Sequence, residues 1–222
     1  MKKFILMLVV FMMTTWSVQA QFPDNVKEVL KKCEAKMSSY NNGSGVVLDA
    51  KLKMKMSILS INGTMKSYLK DKRYFNILSM TAMGKEMLKM EIGFDGAQQW
   101  VYKAKTEDDL KDTLIITKTS ASKNEYGMNS DYDKEYNKAK MKEVDRYYEI
   151  TFSGPKKKGI PKKASIKIDK ENYFMREYTI DQDMGMFTGS ITIIITKITK
   201  GCSDNWLKLN MNRYKNAAVV RK

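Results

Sequence analysis

The sequence predicts a mostly β protein with some α-helix, built on a strongly curved antiparallel sheet of about ten or eleven strands that forms a half-open, incomplete β-barrel. Three observations predict this class. Apolar residues recur at helical spacing between residues 24 and 40, and mainly at every second position from residue 46 onward. Short turn sequences such as Asp95-Gly96 separate the alternating segments. An N-terminal helix and a short helical insert are expected to close the sheet, because a helix with one apolar stripe buries that stripe against a second layer.

The first twenty residues have the three parts of a secretory signal peptide. Lys2 and Lys3 are followed by the apolar run "FILMLVVFMM", and the segment ends in the small-residue sequence "SVQA". The apolar run is too short to span about 30 Å of hydrocarbon. We therefore predict cleavage after Ala20, export to the periplasm, and a single, monomeric domain over residues 21–222.

The first element of the mature chain is predicted to be an amphipathic helix in "DNVKEVLKKCEAKMSSY". Its apolar residues recur at intervals of three and four and form a single stripe: Val26, Val29, Leu30, Cys33, Met37 and Tyr40. The glycines of "NNGSG" end the helix, because glycine favours conformations outside it.

Alternating segments follow the helix and predict a meander of antiparallel strands. In "VVLDAKLKMKMSI" seven apolar residues alternate strictly with polar ones. The dipeptide Asn62-Gly63 predicts a hairpin turn. Further turns are expected at "DKR", at Gly84 and at Asp95-Gly96.

The strand after Asp95-Gly96 carries two large aromatic residues. Trp100 and Tyr102 are two positions apart, so they share one face of the strand. We expect this to be the face on which Met90 and Ile92 lie, so that Trp100 adds a rigid apolar wall to the interior.

Residues 104–143 are polar and charged, and only "TLIITK" among them resembles a strand. Within "NSDYDKEYNKAKMKEVD", Tyr132, Tyr136 and Ala139 fall on one helix face, which predicts a short helical insert. Strands resume at "RYYEITFSG", and "ASIKID", "YFMREYTI" and "FTGSITIIITKITKG" complete the sheet.

The charge of the chain favours some classes of partner over others. The full sequence has 40 basic and 25 acidic side chains, a formal net charge of +15, and loss of Lys2 and Lys3 with the signal peptide lowers this by two to +13. Such a charge suits an anionic membrane surface or an acidic protein partner, and nucleic acid is not expected as the partner of an exported protein. The five lysines of "PKKKGIPKK" indicate either a solubilising hairpin tip or a docking patch.

The residue types needed for common catalytic and metal sites are missing. Histidine is absent, which excludes His-based triads, His general bases and His metal ligands. The sequence contains no CxxC, GxSxG, Walker or GxGxxG motif. We therefore expect no catalytic residues, no metal and no cofactor, and a protein that is not an enzyme.

The sequence does not decide whether its two cysteines form a disulfide or remain free thiols. Export permits a disulfide between Cys33 and Cys202. The alternative is a buried free thiol at Cys33, which lies on the apolar stripe of the predicted helix.

The predicted inward positions of the strands are rich in methionine and large aliphatic side chains. The full chain has eighteen methionines, and this flexible, polarizable side chain suits irregular apolar partners. Ordinary core packing explains any single residue of the set, but one helix and a small insert leave space in so wide a sheet, and that space would be an apolar cavity. The residues predicted to line it are Leu48, Leu52, Met54, Met56, Leu88, Met90, Ile92, Phe94, Trp100, Tyr102 and Phe152.

Spacing patterns through most of the mature chain resemble those of the LolA-type periplasmic lipoprotein carriers. They lie in the helix "VKEVLKKCEAKMSSY", the long strand "VVLDAKLKMKMS", the hairpin "INGTMKSYLKDKRYFNI", the segment "GFDGAQQWVY" and the closing "LKLNMNRYKNAAVVRK". Lys70, Lys72 and Arg73 are the candidates for the arginine that this family carries near its third strand. The polar insert 104–143 departs from the more apolar lid helices of the family.

The resemblance implies a half-open barrel that binds the acyl chains of lipoproteins, or a related lipid, and shuttles them towards the outer membrane. It also implies an inner-membrane release complex and an outer-membrane acceptor as partners. The lack of a cysteine beside the cleavage site favours the soluble carrier over the family's lipidated acceptor. An envelope sensor or adaptor of the same fold that binds a protein partner is the alternative, and an envelope hydrolase has no positive support.

Overall fold

The computed structural model describes residues 22–40, 43–56, 60–105, 111–119, 132–183 and 188–222. The predicted signal peptide, residues 1–20, lies outside these ranges. Helix α1 spans Asp24–Tyr40 and the one-turn helix α2 spans Tyr132–Glu135. The strands are β1 Val46–Met56, β2 Ser60–Lys70, β3 Arg73–Ala82, β4 Lys85–Phe94, β5 Gln98–Lys103, β6 Thr113–Lys118, β7 Tyr136–Val144, β8 Tyr147–Pro155, β9 Lys163–Asp169, β10 Met175–Asp183, β11 Thr188–Lys200 and β12 Ala218–Arg221. Two short 3₁₀ helices, Asp204–Leu207 and Met211–Tyr214, precede β12.

The strands form one twelve-stranded sheet in the order β12-β6-β5-β4-β3-β2-β1-β11-β10-β9-β8-β7. The order is linear, with β12 at one end and β7 at the other, so the sheet is open. Most neighbours are also consecutive in the chain and antiparallel, as in the pairs β3–β4 and β8–β9, whereas β12 joins β6 in parallel. The predicted class, mostly β with an open antiparallel sheet, is confirmed, and the sheet has more strands than the ten or eleven expected.

The chain divides into two compact units. One contains Met1–Ser39, Leu52–Ser60 and Gly127–Thr196, and the other contains Tyr40–Lys51, Ile61–Tyr126 and Lys197–Lys222. Strands β1 and β11 each contribute residues to both units. A single carrier domain over residues 21–222 stays a prediction.

Helix α1 buries the stripe that its spacing predicts. Val26, Val29, Leu30, Cys33 and Met37 are buried. On its exposed side, Lys32 pairs with Glu28 one turn earlier at 2.7 Å. Just before the helix, Phe22 packs on Phe152 of β8 with ring centroids 5.7 Å apart, which fixes the direction in which the chain enters the helix.

Three of the four predicted turns are present, and the turn at Asn62-Gly63 is not. Both residues lie inside β2, where they pair with Thr81 and Met80 of β3. A Cβ atom on Gly63 would lie 2.4 Å from the carbonyl oxygen of Ser79, so glycine allows a close approach of two backbones here. The prediction was wrong because strand pairing over the whole of β2 outweighed the local turn preference of the dipeptide.

The predicted short helical insert is present, but it is shorter than the spacing of its apolar residues indicated. Only Tyr132–Glu135 is helical, and the chain continues directly into the nine-residue strand β7. Ala139 and Met141 of β7 pair with Phe152 and Ile150 of β8, which places them on the buried face of that strand. Residues on the buried face of β7 therefore recur at every second position. The sequence does not show this period clearly, because β7 is an edge strand whose other residues are mostly exposed.

Cys33 and Cys202 are both free and both buried. Burial raises the pKa of the Cys33 thiol to about 12. Cys202 lies in an apolar cluster with Tyr68 and Phe75. The disulfide that the sequence left open is thus absent, and each cysteine serves as a small apolar residue in its own surroundings.

Candidate ligand-binding face

One face of strands β2, β3 and β4 carries a continuous set of buried apolar side chains, which we call the methionine face. Residues that pair across antiparallel strands share a face. Met65 pairs with Leu78, and Leu78 pairs with Met90. The methionine face consists of Met65, Leu78, Met80, Met90, Ile92 and Phe94, which are between 1% and 8% exposed. Leu88, predicted with this set, pairs with Met80 and is partly buried.

Strand β1 shows the same alternation along its own length. Leu48, Leu52 and Met54 are buried, while Lys51, Lys53 and Lys55 between and beside them are exposed. Met56 at the end of the strand is partly buried. The predicted division of β1 into an apolar and a polar side is therefore correct, and its contact with a ligand stays a prediction.

Trp100 and Tyr102 lie on the face opposite to the methionine face. Trp100 pairs with Gly93, whereas Ile92 pairs with Val101. The expectation that Trp100 shares a side with Met90 and Ile92 was wrong. The four residues between Phe94 and Gln99 set a register in which even-numbered residues of β4 face odd-numbered residues of β5.

Residues 202–217, which we call the C-terminal segment, cover Trp100 on that opposite face. A row of paired residues, Phe75, Gly93 and Trp100, crosses β3 to β5. The rings of Phe75 and Trp100 are stacked with centroids 6.1 Å apart, and Trp206 stacks on Phe75 at 5.9 Å. Leu207 and Tyr214 complete the buried cluster. Trp100 is therefore a core residue under the C-terminal segment.

A buried carboxylate fastens this segment to the sheet. Glu91, which is 5% exposed, accepts hydrogen bonds from Arg213 Nη2 and from the Tyr214 hydroxyl, each at 2.8 Å. Burial, together with the hydrogen bond to Glu91, raises the pKa of Tyr214 well above its usual range. The guanidinium of Arg213 also lies 5.0 Å from the ring centroids of both Phe75 and Trp206.

The candidates for the family's arginine hold the same segment. Lys70 Nζ and Arg73 Nη2 both contact Asp204, at 3.3 and 2.9 Å respectively. The hydrogen bond from Lys70, with the charges of Lys70 and Arg73, lowers the pKa of Asp204 against the smaller opposing effect of burial. Lys72 is exposed in the turn. Lys70 and Arg73 thus anchor the first 3₁₀ helix.

Phe152, the predicted lining residue of β8, sits among aromatic rings. Its ring stacks on Tyr132 with centroids 4.0 Å apart and lies 5.8 Å from Tyr136. Phe152 is fully buried. Its packing is that of a core residue, and a contact with lipid stays a prediction.

Asn76 is a polar residue that the sequence did not single out. It is 1% exposed and lies on the same side of β3 as Leu78, between Ser67 and Ile92 in the strand register. Neither its Oδ1 nor its Nδ2 has a hydrogen-bond partner among the described residues. Its position two residues before Leu78 in an otherwise apolar alternation was the available signal.

A separate open groove of about 400 Å³ lies on β8 to β11 and has a charged lining. Arg146, Lys167, Arg176 and Glu177 supply the charges. Lys167 pairs with Glu177 at 2.9 Å, and Arg146 pairs with the fully buried Asp169. Three cations face the carboxylates of Glu177 and Asp169, so the groove has a charged lining and does not resemble the apolar cavity predicted from the sequence.

No group of three or more His, Cys, Asp or Glu side chains among the described residues is placed to hold a metal ion. None of the helices in this part of the chain has the length and the hydropathy required to cross a membrane.

Comparisons with known proteins give likenesses of structure and none of sequence. No protein-family profile matches the chain, and no curated protein matches it. An uncharacterized conserved protein of Thermus thermophilus is 11% identical with a TM-score of 0.52, and the match covers 89% of this chain and 99% of that one. The lipoprotein LppX of Mycobacterium tuberculosis is 13% identical with a TM-score of 0.46, covering 80% and 98%. A LolA superfamily protein of Nitrosomonas europaea is 7% identical with a TM-score of 0.36, covering 82% and 97%.

The first of these likenesses shows a shared fold. The fold and the methionine face together define a class, an open antiparallel sheet with an apolar face on its central strands.

Proposed function

We propose that this protein is a non-enzymatic carrier of the cell envelope that binds the acyl chains of a lipoprotein, or of a related lipid, at the methionine face. The observation that carries the proposal is the composition of that face. Three of its six side chains are methionines, which adapt their shape to flexible apolar ligands more readily than branched side chains do. The opposite face of β3 to β5 is covered by the C-terminal segment, so the methionine face is the side of these strands that we assign to the ligand.

The partners and the location follow from the same proposal. A monomeric carrier with an export signal would work in the periplasm. It would receive its cargo from an inner-membrane release complex and deliver it to an outer-membrane acceptor. These partners rest on the resemblance of the sequence to the LolA-type carriers.

The test is direct binding with a matched pair of variants. The purified protein is extracted for bound lipids, which are identified by mass spectrometry, and is titrated with a fluorescent diacylated peptide. Met90→Trp fills the methionine face and is expected to weaken binding. Met87→Trp makes the same change on the same strand at a residue that is 55% exposed, and is expected to bind normally. Thermal unfolding confirms that both variants fold.

A wild-type protein that holds no acyl lipid and binds none would remove the proposal. Equal binding by Met90→Trp and Met87→Trp would place the site elsewhere.

A second candidate is an envelope adaptor that binds an acidic protein partner. The observation that favours it is a set of exposed lysines, Lys138 and Lys140 on β7 and Lys156, Lys157 and Lys158 in the loop after β8. Exposed charges are screened beyond about 10 Å at 0.1 M salt, so the association rate with such a partner should fall steeply as salt rises. Replacing the three loop lysines by Gln should slow association, whereas the same replacement of Lys51, Lys53 and Lys55 should not.

A further inference from the structure

Asn76 places a hydrogen-bond donor, Nδ2, and an acceptor, Oδ1, within the methionine face. Neither atom has a hydrogen-bond partner among the described residues. Asn76 is 1% exposed. Its neighbours on this face are Leu78 along β3 and Ile92 across the pair with β4. A leucine at this position would continue the apolar alternation of the strand and would remove the unpaired amide.

Retaining an unpaired amide here carries a cost in stability. Burying a polar side chain without a partner removes its hydrogen bonds to water and gives nothing in return. Buried polar groups in native proteins are paired in the great majority, so an exception needs a specific explanation. A ligand that supplies the missing partner is one such explanation.

The chemistry of the amide limits which groups of a ligand could pair with it. Asn76 Nδ2 offers two donors and Oδ1 offers an acceptor. Saturated hydrocarbon has neither group, so the acyl chain itself cannot pair with the amide. The carbonyl oxygen that joins an acyl chain to its headgroup is an acceptor located where the apolar part of the ligand ends. Ser67, buried at 3%, lies directly opposite Asn76 in the strand register.

We propose that Asn76 is the polar recognition point of the methionine face, and that its Nδ2 donates to the ester or amide carbonyl of a bound acyl chain. This inference rests on the proposed carrier function. It adds that the ligand is recognised by its acyl linkage and held in one register along the face, with hydrocarbon on the surrounding Met65, Leu78 and Ile92.

The test compares ligands with and without the carbonyl on unmodified protein. A diacyl phospholipid and a diacylated peptide are each used in ester form and in ether form, because the ether lacks the carbonyl. We expect the ester forms to bind about tenfold more tightly, the difference that one hydrogen bond to a buried partner supports. The peptide and phospholipid arms distinguish a lipoprotein cargo from a membrane lipid.

A variant pair tests the residue itself. Asn76→Leu should remove the ester preference while binding diphenylhexatriene, a hydrocarbon probe without polar groups, as well as the wild type does. It should also unfold at a higher temperature, because the unpaired amide is gone. Asn62→Leu makes the same change at an exposed position of β2 and should leave the ester preference intact.

The outcomes separate the two proposals. Equal affinity of the wild type for ester and ether forms overturns the role of Asn76, as does an Asn76→Leu variant that keeps the ester preference. An Asn76→Leu variant that loses diphenylhexatriene and ester to the same extent also overturns it, because the effect is then on the face as a whole. A wild type that binds neither ester nor hydrocarbon refutes the carrier function.

Discussion

Arg213 Nη2 donates a hydrogen bond of 2.8 Å to Oε1 of Glu91, a residue 122 positions earlier in the chain. Glu91 is on β4 and Arg213 is in the second 3₁₀ helix, so this contact joins the C-terminal segment to the middle of the sheet. The neighbouring hydroxyl of Tyr214 uses the second carboxylate oxygen. Both oxygens of Glu91 are therefore satisfied by one short segment.

Replacing Glu91 should detach that segment. Glu91→Ala leaves the Tyr214 hydroxyl and the Arg213 guanidinium without their acceptor, and we expect a loss of about 2–3 kcal/mol in the free energy of unfolding. Urea denaturation measures the loss. Glu86→Ala, an exposed carboxylate on the same strand, should cost less than about 0.5 kcal/mol. Equal stability of the two variants would show that the contact contributes little.

Gly93 and Trp100 should behave as a coupled pair. A Cβ atom on Gly93 would lie 2.0 Å from Trp100 Cζ2, so Gly93→Ala should destabilise the fold by about 1–3 kcal/mol through overpacking. In a Trp100→Phe background the smaller ring leaves room, and the same substitution should cost less. A double-mutant cycle measured by thermal unfolding gives the coupling. Additive effects would contradict the contact.

Trp100 should not report ligand binding. It is 1% exposed and lies on the face opposite to the methionine face. In a Trp206→Phe background, addition of a diacylated peptide should leave the wavelength of Trp100 emission unchanged. A blue shift on addition of the lipidated peptide, absent with the unlipidated one, would mean that acyl chains reach the covered side.

Both cysteines should be present as unreactive thiols. Cys33 is 1% exposed, and burial raises its pKa to about 12, so little thiolate is available at pH 8. Ellman's reagent should label Cys33 only after denaturation in guanidinium. The Cys33→Ser variant is the control that assigns the labelled thiol to Cys33. Serine has nearly the volume of cysteine but is more polar. Absence of any free thiol in the denatured, unreduced protein would instead indicate a disulfide.

Asp169 should make the free energy of unfolding depend on pH in the acidic range. Burial by itself would raise its pKa, but the hydrogen bonds from Arg146 and from the Glu171 amide outweigh it and hold the pKa below the ordinary value of 3.8. A carboxyl with a lowered folded-state pKa stabilises the fold above its unfolded pKa and loses that effect as pH falls through the folded value. The stability difference between wild type and Asp169→Asn should therefore be constant from pH 7 to about 5 and shrink below about pH 4. A difference independent of pH would contradict this sign.

The elements that the sequence predicts well are those with a strong period and a matching local signal. The stripe from Val26 to Met37 specified helix α1, and Asp95-Gly96 specified a turn in which Asp95 Oδ1 accepts from the amides of Ala97 and Gln98. The strand "TLIITK" is β6 without a change of limits. In these cases the propensity, the pattern and the tertiary contacts agree.

The failures have a common physical origin in contacts between strands. Alternation tells which residues of β5 share a side, but only the length of the turn before it decides whether Trp100 joins Met90 or Lys89. Asn62-Gly63 was misread for the same reason, since its partner on β3 is invisible locally. For the site, alternation found Met90 and Ile92. It did not find Asn76, because a missing hydrogen-bond partner is a property of the surroundings and not of the residue.

The fastening of the C-terminal segment has a consequence for the order of folding. Strands β3 to β5 leave the ribosome well before the residues that cover Phe75 and Trp100, so these rings stay uncovered until Trp206 and Arg213 have been made. Contacts between residues so distant in sequence form slowly, because long loops must close first. Until then the nascent sheet exposes the rings of Phe75 and Trp100, and this uncovered apolar area raises its risk of aggregation.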